Sequence, residues 1–162
     1  MLKEAAVLAL ATATALSGAA GVMRLAHPAQ AEARAFAPSA RITKAADGHF
    51  WAKAEVSAAS GTAQVRFLVD TGASSVALTL KDATRLGVDP GRLAFDHPVS
   101  TAQGPAQAAL IVLPHLEVAG ARVDRVEALV LKRNLPASLL GMSYLGRLSR
   151  LEATPTVLTL TK

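Results

Sequence analysis

The sequence contains no cysteine, which excludes disulfides, thiolate zinc sites, iron–sulfur clusters and a cysteine nucleophile. Aromatic residues make up only 4% of the chain, namely Phe36, Phe50, Trp51, Phe67, Phe95 and Tyr144, so any core has to be built from Val, Leu, Ile and Ala. Charged residues are also sparse, at 18% against a usual share of roughly 25%. With 51% hydrophobic residues, that composition excludes disorder of the whole chain. There is no phosphate-cradling Gly-x-x-x-x-Gly-Lys or Gly-x-Gly-x-x-Gly string, and no internal repeat. The four histidines, His27, His49, His97 and His115, show no metal-ligand spacing, and neither metal nor cofactor is expected.

The charge that is present leans positive, with 17 Lys and Arg against 12 Asp and Glu. The basic residues are scattered, the densest groups being Lys132-Arg133 and Arg147/Arg150, and no aromatic is interleaved with them to stack on bases. This reads as a solvated basic surface and not as a nucleic-acid site.

At 162 residues the chain has room for one domain and little else. Residues 5–23 carry no charged side chain, with Lys3 and Glu4 before the run and Arg24 after it. That length suits a bilayer-spanning helix, which needs roughly 17–25 residues. Residues 1–24 are read as an uncleaved membrane anchor. The alternative is a cleaved signal peptide, for which Ala29-Gln30-Ala31 offers a small-x-small cleavage pattern. Either way the remainder is exported. Residues 25–46, rich in Ala and Pro, read as a linker, and 47–162 as the folded domain.

Within that domain the pattern is mainly β. His49–Ser57 and Ala63–Val69 flank the turn residues Ser60-Gly61 and predict a hairpin. A short strand over Ser75–Thr79 precedes a helix capped by Thr79, with Asp82 three residues on and Gly87 as its stop. Leu93–Ser100 and Pro105–Leu113 flank Thr101-Ala102-Gln103-Gly104 as a second hairpin. His115–Val118 and Ala121–Leu131 form a third around Gly120. Leu139-Leu140-Gly141 leads into a short helix, Met142–Leu148. Strands at Leu151–Ala153 and Val157–Leu160 flank Thr154-Pro155.

The chemistry concentrates at Phe67-Leu68-Val69-Asp70-Thr71-Gly72-Ala73-Ser74, where an acid follows a fully apolar strand and precedes Thr and Gly. Gly72 permits a tight turn and Thr71 supplies a hydroxyl for backbone groups. One carboxylate cannot readily act as both acid and base on a peptide. Two held a few ångströms apart share a single proton and can do both. Taken alone, the tripeptide reads more readily as an Asp opening an ordinary turn.

The order of the surrounding pieces resembles the retropepsin-like aspartic proteases, in which a short chain carries one motif and dimerises. Those pieces are the Asp70 strand, Asp82-Ala83-Thr84-Arg85-Leu86-Gly87, Ser100-Thr101-Ala102-Gln103-Gly104 and Leu139-Leu140-Gly141-Met142. The Thr-Ala-x-Gly element and the Leu-Leu-Gly-Met-Ser-Tyr-Leu run are similar to those of its bacterial membrane-anchored members. The resemblance implies a closed β-barrel of the acid-protease fold with short helices. It implies an aspartic endopeptidase with Asp70 as the catalytic residue of each protomer, and Thr71, Gly72 and Ala73 as the active loop, Thr71 bracing the dimer. Thr101, Ala102, Gln103 and Gly104 would form the flap tip. The implied partners are a polypeptide substrate, a second copy of the chain, and a membrane through residues 5–23. The implied location is a bacterial inner membrane crossed once, with the domain in the periplasm, or free there if the segment is cleaved. The alternative is a non-catalytic module of the same fold that binds peptides or envelope partners.

Gly141-Met142-Ser143-Tyr144-Leu145-Gly146 comes within one residue of a hydrolase nucleophile elbow, with Leu145 where the second Gly is needed. Its place at a helix start explains it better.

Overall fold

The alternation of small apolar and polar residues from Trp51 to Val69 forms a long hairpin. The computed structural model describes residues 39–58, 61–101, 103–132 and 135–162. In it, β2 (Trp51–Ala58) pairs antiparallel with β3 (Gly61–Val69), from Trp51 opposite Leu68 to Ala58 opposite Gly61. Ala52, Ala54 and Val56 of β2 and Val65 and Phe67 of β3 are buried on one face, as period-two patterning requires. β3 continues through Asp70 into β4 (Val76–Leu78) and then α1 (Leu80–Arg85). Thr79 caps α1, its hydroxyl oxygen accepting from the Asp82 amide at 3.0 Å. After a 3-10 turn at Pro90–Arg92 come β5 (His97–Thr101), β6 (Gly104–Val118) and β7 (Ala121–Leu131). The chain ends with β8 (Ser138–Leu140), α2 (Met142–Leu145), β9 (Arg150–Ala153) and β10 (Val157–Thr161).

Six strands close into a ring in the order β2-β3-β8-β4-β7-β6, and β2 pairs back onto β6. β5 lies outside the ring, paired to β6 alone. The β3–β8 and β4–β7 pairs are parallel, and the other pairings in the ring are antiparallel. One side of β6 is covered by β7 for most of its length. Its other side is shared, with β5 at residues 104–108 and β2 at residues 115–117. Among the described residues, none pairs with the stretch 109–114 on that side. Closure removes the edges that a flat sheet would expose.

The core is aliphatic, as the composition requires. Among the described residues, Phe67 and Tyr144 are the only aromatics with fully buried side chains. Tyr144 donates its hydroxyl to the Ala121 carbonyl at 2.6 Å, and burial pushes the phenol well above its ordinary ionisation range.

A separate three-stranded sheet joins β1 (Ser39–Thr43) to β10 and β10 to β9, both antiparallel. This corrects the linker reading of residues 25–46, because the folded unit already includes Ser39. Ala40 and Ile42 are buried in the main core, which holds β1 in place. The third predicted hairpin is also revised, since β6 runs unbroken through Pro114. The proline sits opposite Arg125, where the register skips a pair between Leu113–Val126 and His115–Asp124, so no ladder donor is lost. The strand expected from Leu93 starts only at His97. The expected anchor and residues 25–38 of the linker lie outside the described residues. Among the described residues, no helix is long and apolar enough to cross a membrane.

Candidate active site

Asp70 is the first residue after β3, and its position is fixed from both sides. Its amide donates to the Leu140 carbonyl at 3.1 Å, which continues the parallel β3–β8 pairing. Its Oδ1 accepts the Gly72 amide at 2.9 Å, and its carbonyl accepts the Ala73 amide at 3.3 Å. The carboxylate is therefore oriented by the loop it opens. Asp70 is half-buried, whereas Thr71 and Gly72 are exposed. The Thr71 side chain has no hydrogen-bond partner among the described residues.

The segment behind this loop is locked by contacts that no motif shows. A Cβ on Gly141 would lie 2.2 Å from the Ser75 carbonyl oxygen and 2.8 Å from that of Ala73. Only glycine lets the β8–α2 junction pass this close. The Met142 amide then reaches the Ala73 carbonyl at 2.8 Å. Ser143 Oγ accepts the Val76 amide at 2.9 Å and donates to the Glu127 carbonyl at 2.7 Å, tying α2 to β4 and β7. This occupies the hydroxyl of the near-elbow motif with backbone. Among the described residues the Ser–His contact lies elsewhere, between Ser57 Oγ and His115 Nε2 at 2.8 Å, and neither residue lines the cleft at Asp70.

Asp82 makes a second lock that sequence reasoning gave only to the helix start. Its Oδ2 accepts from Ser138 Oγ at 2.7 Å and from Thr79 Oγ1 at 3.1 Å, while Oδ1 pairs with Arg85 at 3.1 Å. Buried Ser138 accepts in turn from the Thr79 amide at 3.1 Å, so α1 is bonded to β8 two residues before Leu140.

The β5–β6 hairpin forms the roof. Thr101 Oγ1 donates to the Gly104 carbonyl at 2.8 Å and accepts the Gln103 amide at 3.2 Å, closing the turn at its tip. Gly104 sits at φ +102°, a conformation that suits glycine. Between roof and floor is a cleft of about 750 Å³ that brings together Asp70, Gly72, Ala73, Thr101, Gln103 and Gly104. Thr71 is not among its lining residues, and Ala102 lies outside the described residues. Much of the lining is aliphatic, with Ala77, Leu129 and Leu131 from a small second core cluster. The fold also brings cations onto aromatic rings that are apart in sequence, with Arg66 4.1 Å from the centre of the Trp51 ring and Lys132 6.0 Å from that of Phe95.

The sequence model of the family described as "gag-polyprotein putative aspartyl protease" matches residues 56–147, which take in the Asp70 loop and both helices. The chain belongs to the retropepsin-like aspartic protease family. A retropepsin-like aspartic protease from Rickettsia conorii, solved by crystallography, is similar in structure, with a TM-score of 0.67 at 34% identity over 75% of this chain and 89% of that one. An uncharacterised protein from the cobV 5′ region of Sinorhizobium sp. is 40% identical over 112 residues, covering 68% of this chain and 46% of its own length. An uncharacterised protein of Rickettsia prowazekii (strain Madrid E) is 40% identical over 106 residues, 65% of this chain and 44% of its own length. The match thus spans less than half the length of these two relatives. The six-stranded ring with few short helices is the retropepsin-like barrel.

Proposed function

We propose that this retropepsin-like chain is an aspartic endopeptidase that works as a homodimer, each protomer supplying one Asp70. The observation that carries the reading is the Asp70 carboxylate, held by the Gly72 amide at 2.9 Å on the edge of a roofed cleft of about 750 Å³. One carboxylate per chain leaves the acid–base pair to be completed across a two-fold axis. In that pair the ionised carboxylate takes a proton from water. The protonated one donates a hydrogen bond to the scissile carbonyl, and hydroxide equivalent adds to the carbon. Thr71, exposed and without a hydrogen-bond partner among the described residues, would brace the facing loop. Residues 5–23 would tether the dimer to the inner membrane of a bacterium with the domains in the periplasm. The bacterial sources of the relatives support that setting. Tethering raises the local concentration and so favours a weak dimer.

The test is Asp70→Asn. Cleavage of a peptide library should fall by roughly 10²–10⁴-fold or more, with the melting temperature unchanged. In the wild type the rate should fall at low pH, where both carboxyls of the pair carry protons, and at high pH, where neither does. Wild-type cleavage by the purified Asn variant, or a rate that climbs steadily into alkaline pH, would remove the aspartic mechanism.

A further inference from the structure

Charge is scarce in the cleft. Of the residues lining it, only Asp70 and His97 have titratable side chains, and the rest are apolar or neutral polar. His97 opens β5, is exposed, and faces only Ala108 across the β5–β6 ladder. Among the described residues its imidazole has no hydrogen-bond or ion-pair partner. Other charges are near in sequence or space but do not line the cleft. Asp96 precedes the strand, and Lys132, beyond the end of β7, sits over the Phe95 ring at 6.0 Å. Among the described residues His97 is thus the one group lining the cleft that can carry positive charge.

Its position along the roof sets its reach. Thr101, which closes the flap turn, lies four residues further along β5. At about 3.3 Å per residue His97 is roughly 13 Å from the flap tip. An extended peptide in the same cleft advances at the same rate, so His97 meets a side chain roughly four residues from a bond centred beneath the tip.

We infer that His97 selects substrates carrying an acidic side chain roughly four residues from the scissile bond, on either side of it. The inference rests on the endopeptidase reading, and the two-fold axis of the dimer puts one His97 at each end of the joined cleft. A substrate carboxylate there would otherwise lie unpaired against a largely apolar wall, which is unfavourable. Histidine as a residue type takes on charge between pH 5 and 8, and aspartyl or glutamyl side chains lose theirs only near pH 4. An assay at about pH 5.5 is therefore one in which a histidine and a carboxylate, as residue types, can both be charged. A partly solvated pair of this kind changes kcat/KM by about two- to fivefold per end. An ion pair made equally in the bound substrate and in the transition state is uniform binding, so the gain falls on KM and leaves kcat alone.

The experiment compares synthetic decapeptides, apolar at the central pair, with Gln, Glu or Lys placed on the N-terminal side, the C-terminal side or both, using the full-length chain at about pH 5.5. The wild type should favour Glu over Gln at each end through KM, and the doubly acidic peptide should show the product of the two single gains. His97→Gln should bring the Glu/Gln ratio to about one, and His97→Glu should shift the preference to Lys. Cleavage of the Gln peptide with no Glu preference, or a Glu preference that survives in His97→Gln, overturns the inference and leaves the endopeptidase reading standing. Failure to cut any of the peptides defeats both.

Discussion

Replacing Gly141 with alanine tests the idea that the active loop is held in place from behind. The new methyl would lie 2.2 Å from the Ser75 oxygen, 2.5 Å from the Ser75 carbonyl carbon and 2.8 Å from the Ala73 oxygen, all of them backbone atoms. An ordinary contact begins at 3.4 Å, so the two segments must part by more than an ångström. No rotamer can relieve this, because neither side of the clash is a side chain. Parting the segments also stretches the Met142–Ala73 hydrogen bond from 2.8 Å and disturbs the Ser143–Val76 bond at 2.9 Å. Overpacking of this kind costs typically 1–3 kcal/mol, and loss of two hydrogen bonds adds about 1–3 kcal/mol. For a folded unit of this size that lowers the melting temperature by roughly 6–20 °C. Gly72→Ala is the contrast. Its methyl would meet only Asp70 Oδ1, at 3.2 Å, so it should melt close to wild type while perturbing the carboxylate and slowing cleavage. The assay is thermal unfolding by circular dichroism beside peptide cleavage for both variants. A Gly141→Ala protein that melts within about 2 °C of wild type would refute the packing argument.

Thr71→Val should weaken the dimer about tenfold or more, since hydroxyl bonds worth roughly 0.5–1.5 kcal/mol each are lost on both sides of the axis, and sedimentation over a dilution series would show it. An unchanged dimer would remove Thr71 as a brace. Ser143→Ala gives up bonds to Val76 and Glu127 and should cost about 1–3 kcal/mol of stability, yet folded protein should cleave normally; a catalytic loss at full folding would return Ser143 to the chemistry. Asp47 accepts from the His49 amide and from Trp51 Nε1, which hold its carboxyl below the ordinary value of 3.8. Its contribution to stability is therefore complete above that value and is lost as pH falls through the lower folded-state value. Emission of Trp51, the only tryptophan, should stay constant down to about pH 4 and change below it, and a transition centred at or above 3.8 would contradict the assignment.

Local signals carried much of this fold. The β2–β3 hairpin, the Thr79 cap and the turn between Thr101 and Gly104 were all readable because each is settled by residues within a few positions of one another. β1 was not, because its partner strand begins at Val157 and its own composition is that of a linker. β6 was read as two strands because Pro114 looks like a break; it is tolerated only because Arg125 opposite adopts φ +51° and the ladder skips that pair. At the site, the position of Asp70 after its strand and the turn between Thr101 and Gly104 were legible from their neighbours in sequence. The backbone contact that forbids any side chain at Gly141, and the bonds from Ser138 to Asp82, join segments more than fifty residues apart. Only the folded chain reveals them.

β6 answers to different partners at its two ends. Lifting β5 away breaks the pairs at residues 104–108, while the three pairs at residues 115–117 that close the ring stay intact. The stretch 109–114, unpaired on that side among the described residues, separates the two events. The roof can therefore open as a small cooperative unit with its own free energy, well below that of global unfolding. Because the same strand is anchored on β7 from Ala108 onward, a roof that opens is guided back to one position by the barrel wall. Access to the cleft and survival of the fold become separate quantities, each open to change without the other.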